Sequence, residues 1–538
     1  MGEKTDYMKN IQLLDCTLRD GGYLNDWEFG HDTLVNVFER VVSAGVDIIE
    51  IGFLDDRREF DINRSIMPNT AAVGKIFGQL DRKQTMVVGM IDYGTCAIEH
   101  LQPCEESYLD GIRVIFKQHV MHQAIEFCRK VKALGYKVFV QAVSITTYSD
   151  SDLLELVGLV NDLHPYAMSM VDTYGLLHQS NLYHIFEVLD ANLKPDIRIG
   201  YHAHNNFQMG YANGIEMIEA KTERDMLVDG SLYGMGKSAG NAPLELLAMY
   251  MNEHCGKHYH VSQILEAIET SIMEIYNRVH WGYNLFYYVA ASNKVHPNYV
   301  SYLMNKHTLS IKSINEILKR IEGPKKLLYD KNCIEQLYRE YESYECDDTA
   351  AMGALAQQWK GRHILVIGPG KTCLDCAEEI ERYRNNNECV VISINFIPEG
   401  RKSDFLFLTN SKRYLQISSQ LSREENRGIQ VIATSNVTKT SGDFDYTLNY
   451  SNLIDINAQV RDNSLLMLMR ALMAMNVSEV ALAGFDGYDP EKMNYFRTNM
   501  EYSDIREKAQ ELNRTARNFF HENAAKLAVT FITPSRYQ

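Results

Sequence analysis

His202 and His204, in the stretch Ile199-Gly200-Tyr201-His202-Ala203-His204-Asn205-Asn206, are the residues whose spacing most directly offers chemistry. The residues leading into them alternate apolar and small, as the end of a buried strand does. Residues two apart on a strand point to the same side. Both imidazoles can therefore face one point, which is what a divalent cation asks of two ligands. A packed polar patch is the other use of such a pair. A metal would need a carboxylate from elsewhere in the chain.

The elements that could supply one lie in residues 1–285, where a short apolar strand, a loop and an amphipathic helix alternate. Strands are expected at Ile11–Asp15, Val46–Ile51, Thr85–Met90, Gly111–Phe116, Lys137–Ala142, Ala167–Asp172, Ile197–His202 and Asp225–Asp229. Helical patterns such as Asp32–Ala44 and Gln118–Leu134 end at glycine, and Asp150–Leu163 and Asn206–Lys221 fall between later strands. Eight such units have the length and count of a TIM (β/α)8 barrel. An open doubly wound sheet is the alternative, but no G-x-G-x-x-G follows the first strand. A barrel carries its chemistry at the carboxyl ends of the strands. Those ends hold Asp15 and Arg19, then Glu50, Asp92, Gln141 with Ser144, Asp172, the two histidines, and Asp229. Asp15 is the expected carboxylate partner of the histidines.

Three motifs resemble those of the DRE-TIM metallolyases. They are Leu14-Asp15-Cys16-Thr17-Leu18-Arg19-Asp20-Gly21-Gly22; Gly200-Tyr201-His202-Ala203-His204-Asn205-Asn206; and Asp229-Gly230-Ser231-Leu232-Tyr233-Gly234-Met235-Gly236 followed by Gly240-Asn241-Ala242-Pro243-Leu244-Glu245. That superfamily holds 4-hydroxy-2-oxovalerate aldolase, hydroxymethylglutaryl-CoA lyase, and the isopropylmalate and homocitrate synthases; the third motif is similar to the aldolase branch. The resemblance covers residues 8–300. It implies a divalent cation, Mn2+ or Mg2+, held by Asp15, His202 and His204, with Asn241 as a further ligand. Open coordination positions would then take a 2-oxo acid. Arg19 would meet the developing oxyanion, and Asp20 would orient Arg19 or a metal-bound water.

The general base is a departure. The aldolases carry a histidine just after R-D-G, where this chain has Tyr23, a phenol of pKa about 10. Tyr23 is then a hydrogen-bond donor or a packed ring, leaving Glu50 or a metal-bound hydroxide as base. The synthases usually read R-D-G-E-Q, and Gly22-Tyr23 in its place counts against an acyl-CoA condensation. The resemblance therefore implies a lyase that cleaves or forms a 4-hydroxy-2-oxo acid through a pyruvate-type enolate, with a small 2-oxo acid and an aldehyde as partners. The alternatives are a Claisen-type acyl-CoA synthase or lyase, and an inactive barrel serving as a scaffold.

Beyond the barrel, Trp281 to Tyr288 is aromatic and helical, and Tyr283, Tyr287 and His296 are candidates to cap the barrel mouth. Residues 286–360 are expected to be a helical extension and linker, polar and acidic from Arg339 to Glu345. Residues 361–538 have a Rossmann-like α/β pattern, with strands at His363–Ile367, Cys389–Ile394, Asp404–Leu408, Ile429–Ala433, Glu479–Ala483 and Val529–Ile532. The turn Gly368-Pro369-Gly370 could hold a phosphate at the next helix. Lys371-Thr372 completes no P-loop, since Leu365 stands where glycine is required. Asn395 and Gly484-Phe485-Asp486-Gly487-Tyr488 faintly resemble nucleotide-sugar-binding domains of bacterial glycan enzymes, which implies a nucleotide or nucleotide-sugar ligand and a tie to sugar or glycan metabolism. A role in assembly is the alternative.

Composition bounds the rest. A net charge of -16 argues against nucleic acid as a partner, and no apolar run is long enough to cross a membrane. Met1-Gly2-Glu3-Lys4-Thr5-Asp6 lacks a signal peptide's apolar region. The 10 cysteines show no framework spacing, as in a reduced cytoplasmic protein. Cys373-x-x-Cys376 has no obvious further pair of ligands nearby to complete a zinc site. A homodimer is expected.

Overall fold

The computed structural model describes residues 10–343, 345–398, 400–455, 460–497, 500–501 and 505–538. The N-terminal stretch read above and Tyr344 lie outside the described residues. The chain divides into two compact units, Met1–Pro297 and Asn298–Gln538.

In the first unit eight parallel strands close on themselves: β1 (Ile11–Asp15), β2 (Ile48–Leu54), β3 (Met86–Asp92), β4 (Gly111–Phe116), β5 (Lys137–Val143), β6 (Ala167–Asp172), β7 (Arg198–Ala203) and β8 (Met226–Gly230). Closure comes from β1, which pairs with β2 on one side and β8 on the other, with Leu14 opposite both Ile48 and Asp229. A two-residue strand, Ile66–Met67, extends the sheet beside β2. The strands lie within about three residues of their expected positions, the usual scatter of element ends. The helices between them bury one stripe. His31–Ser43 turns Leu34, Val37, Phe38, Val41 and Val42 inward at three- and four-residue spacing. Asp150–Leu163 starts from a capping box, in which Ser149 and Asp152 satisfy each other's backbone N–H groups.

The barrel interior is layered. Leu14, Ile48, Val88, Phe139, Ala167 and Leu227 form an apolar plug. Elsewhere the interior is polar: Glu50, Arg113, Gln141, Ser169 and Asp229 are all buried, and Arg113 is the largest fully buried side chain among the described residues. A core like this closes only if every member is bonded, because an isolated buried charge costs far more than a polar one.

The second unit is built on seven parallel strands: β9 (Ile364–Ile367), β10 (Val390–Ile394), β11 (Phe405–Leu408), β12 (Gln430–Thr434), β13 (Tyr446–Leu448), β14 (Glu479–Ala483) and β15 (Ala528–Phe531). Their order is β13-β12-β11-β10-β9-β14-β15, so the direction of winding reverses between β9 and β14. The strand β13 was not expected; it is three residues long and follows Asp443-Phe444-Asp445, where no apolar run announces it. The stretch expected as extension and linker is divided. Helix Leu285–Ser292 falls with the barrel, whereas Lys331–Glu342 and Thr349–Trp359 fall with the second sheet. Leu355 and Trp359 are buried in that sheet's core, Trp359 edge-on to Phe405 at 5.3 Å.

Candidate active site

The carboxyl end of β1 runs straight into a four-residue helix, Thr17–Asp20, that is wholly buried. This places Arg19 and Asp20 over the end of the barrel, and Trp27 fixes the turn by donating its indole N–H to the Arg19 carbonyl at 2.8 Å. The histidines leave β7 side by side, their ring centroids 5.2 Å apart and nearly perpendicular. Asp20, His202 and His204 converge at the carboxyl end of the barrel, each offering a ligand atom within 4.8 Å of the others.

That arrangement moves the carboxylate expected at Asp15. The Asp15 side chain accepts from the Thr17 hydroxyl at 2.5 Å and its N–H at 3.3 Å, and Thr17 in turn accepts the Leu232 N–H. It serves as a brace between the ends of β1 and β8. Burial raises its carboxyl to about 7, so at neutral pH it is a poor source of negative charge. Asp20 is the opposite case. Burial pushes it up, but the Arg19 guanidinium beside it outweighs this and holds it below the usual carboxylate range.

Each imidazole is oriented from behind. Asp229 Oδ2 lies 3.0 Å from His202 Nδ1. An ionised carboxylate can only accept, so Nδ1 is a protonated nitrogen, and the neutral ring of that tautomer presents its lone pair at Nε2. Asp229 is kept ionised against burial chiefly by Arg113. His202 Nε2, His204 Nδ1 and Asn241 Oδ1 are buried with no hydrogen-bond partner among the described residues. Burial also drives His204 down to about 3, which keeps it neutral. Asn241 donates its amide N–H to Asp20 Oδ2 at 2.7 Å. Gly236 is where the loop after β8 passes this group; a Cβ there would come within 2.2 Å of Asn241 Nδ2 and 2.6 Å of Asp20 Oδ2. Unpaired buried acceptors beside an ionised carboxylate form a donor set that fits a divalent cation.

Arg19 is clamped on two sides, its Nε on Glu50 Oε2 at 2.7 Å and its Nη1 on Asp20 Oδ1 at 2.6 Å. These carboxylates keep it charged despite burial. Glu50, offered by the sequence as a base, also lies 3.1 Å from Arg113 Nη1. A carboxylate between two guanidinium groups and out of contact with solvent is a positioning group. Tyr23 stands at the mouth against Trp27 and Phe53, with the Lys237 ammonium 5.0 Å from its ring centre. Burial of the hydroxyl end pushes its phenol up, so it holds its proton. Tyr283 is exposed, whereas His296 packs against Tyr174 at 6.5 Å.

Sequence reasoning missed Arg113 and Lys237. Arg113 had a signal: it is the one charge inside the apolar strand Gly111–Phe116, at an inward-facing position. Its Nη2 bonds Asp229 Oδ2 at 2.5 Å and Gln141 Oε1 at 3.1 Å, and Gln141 continues to Ser169 at 2.9 Å.

The HMGL-like family model matches residues 10–272. The 4-hydroxy-2-oxovalerate aldolase of Shewanella halifaxensis is 27% identical over 281 residues, 49% of this chain and 78% of that protein. The 2-isopropylmalate synthase of Sulfolobus acidocaldarius is 25% identical over 249 residues, 46% of this chain and 64% of that protein. Among solved structures, the N-terminal domain of a Bacteroides vulgatus protein described as an aldolase aligns with TM-score 0.47 and 22% identity, covering 57% of this chain and 99% of that one. The Bacillus subtilis HMG-CoA lyase aligns with TM-score 0.41 and 14% identity, covering 50% and 94%.

Proposed function

We propose that the HMGL-like domain of residues 10–272 is a divalent-metal-dependent aldolase that cleaves or forms a 4-hydroxy-2-oxo acid through a pyruvate-type enolate. The domain is a carbon–carbon lyase of aldolase type. The observation that carries the finer reading is the convergence of Asp20, His202 and His204 at the barrel end, with unpaired buried acceptors on both histidines and on Asn241. Asp20, His202 and His204 would hold the cation, with Asn241 Oδ1 as a further ligand. A cation there supplies Lewis-acid polarisation of the substrate's 2-oxo group.

The chain's own residues do the rest. Asp229 and Arg113 fix the tautomer of His202. Glu50 and Asp20 hold the Arg19 guanidinium in one orientation, so its positive charge meets the enolate oxygen without reorganising. Breaking the C3–C4 bond requires a proton to leave the C4 hydroxyl. Glu50 is committed to two arginines and Tyr23 holds its proton, so neither suits that task. His296 suits it better: burial, with the charges of Lys237 and Lys117, holds its imidazole below the ordinary range and leaves it neutral and able to accept. Tyr23, as a donor at the mouth, suits the hydrogen bond to the departing aldehyde oxygen.

The test is a pyruvate-coupled screen of 4-hydroxy-2-oxo acids with the full chain and added Mn2+ or Mg2+. Pyruvate release, abolished by a chelator and in His202→Ala, is expected. Thiol release from an acyl-CoA and a 2-oxo acid, with no cleavage of any hydroxy-oxo acid, would overturn the reading in favour of a Claisen-type enzyme.

A further inference from the structure

The second unit contains a cavity of about 980 Å³ that the aldolase reading does not use. It opens at the carboxyl ends of β9, β10 and β14, lined there by Gly370, Asn395 and Gly484 to Tyr488. The strand order reverses between β9 and β14, and open parallel sheets bind ligands at such a point. The size is that of a site for a whole metabolite rather than a few waters.

The phosphate seat expected at the turn after β9 is filled by the protein itself. Asp486 accepts the Thr372 N–H at 3.0 Å and the Thr372 hydroxyl, and Gly370 donates to the Gly484 carbonyl at 2.8 Å. An anion at that helix start would meet a carboxylate. The other side of the cavity differs. Three longer helices, Ser411–Leu421, Ser464–Ala474 and Ala509–Asn523, present their first turns to it through Asn410 and Arg413, Asn463 and Ser464, and Lys508 and Glu511. Asn410 and Asn463 cap the first two, accepting the Arg413 and Leu466 N–H groups, while the third has no side-chain cap; all three turn the positive end of the helix dipole toward the cavity. Arg413 is buried, donating to the Met500 carbonyl and to Gln416 Oε1.

The cavity's carboxylates are mostly spent within the protein. Glu335 pairs with Lys306 at 3.3 Å and Arg339 at 2.8 Å, Glu342 accepts from Asn436 at 2.8 Å, and burial raises Asp462 toward its neutral form. Tyr338, Tyr450, Tyr488 and Tyr495 add flat faces with polar tips. Thr308 and Ser451 add hydroxyl groups to the lining.

We propose that this cavity binds a nucleoside diphosphate or a molecule carrying one, its phosphates on the side of Arg413 and Lys508 and its base among the tyrosines. The aromatic walls argue for a ring, and the positive ends of three helices beside Arg413 and Lys508 argue for an anion of more than one charge.

Calorimetric titration of the full chain with UDP, CDP, ADP and GDP in Mg2+, beside pyrophosphate and the four nucleosides, tests this. At least one diphosphate should bind saturably, and pyrophosphate and its own nucleoside should each bind at least about tenfold more weakly, the loss of one charge-assisted or stacking contact. Arg413→Gln and Lys508→Ala should each weaken the diphosphate by about tenfold. Lys508 is exposed, so its variant remains informative if the buried Arg413→Gln fails to fold. The proposal is overturned if no diphosphate binds, if pyrophosphate binds as tightly as all of them, or if Lys508→Ala binds undiminished.

Discussion

The barrel interior and the cavity of the second unit both hold charged side chains out of water, yet they do so under different constraints. In the barrel, Glu50, Arg113, Asp229, Arg19 and Asp20 form one connected set in which every cation touches two carboxylates. In the second unit Asp486 caps a helix, Glu342 meets an amide, and Arg413 meets a carbonyl and an amide. A connected charge set aims a few side chains at one point and fixes them there. Local pairs leave a roomy, adaptable wall. The first suits bond-breaking on a small oxo acid, the second recognition of a larger ligand.

Breaking the connected set should cost most. Arg113→Met leaves Asp229 and Glu50 buried without their shared cation, and should destabilise the barrel by about 3–5 kcal/mol in chemical denaturation. Lys508→Ala, at an exposed position of the other unit, should stay within about 0.5 kcal/mol. A loss for Arg113→Met as small as that would mean the barrel charges are not coupled. Arg19→Ala should lower kcat/KM by about 100- to 1000-fold with the protein still folded, the usual cost of removing one oxyanion partner.

A pH series separates the two carboxylates on β1 and its helix. Burial raises Asp15 to about 7 from an ordinary 3.8. A group raised in the folded state gives its full stability below 3.8 and loses it as pH climbs through about 7. The barrel should therefore lose stability between those limits, and Asp15→Asn should flatten the decline. An unchanged slope would show that Asp15 is ionised throughout. His296→Gln should lower kcat and remove the acidic limb of its pH profile, while Tyr23→Phe should change kcat/KM by less than about tenfold, a hydrogen-bond donor's share. A larger loss in Tyr23→Phe than in His296→Gln would exchange their roles.

The barrel was legible because short apolar strands and amphipathic helices alternate along residues 1–285, and because His202 and His204 declare their common face by strand geometry alone. The third ligand was not. Asp15 ends the strand, as the barrel rule favours, but the chain continues into a buried helical turn that carries Asp20 five residues further to the histidines. Only the turn's conformation decides between them. Arg113 was legible in principle as a lone charge on a buried strand, though its partners, 63 and 116 residues away, were not. In the second unit the strands could be read, but the filling of the expected phosphate seat depends on Asp486, 114 residues beyond Thr372.

The central claim is tested most directly by metal content. After dialysis against Mn2+ and desalting, the wild-type chain should retain about one ion per chain by elemental analysis, as a three-ligand site does. Asp15→Asn should retain it, while Asp20→Asn and His202→Ala should lose it. Retention in Asp20→Asn together with loss in Asp15→Asn, or no stoichiometric ion in the wild type, would contradict the account.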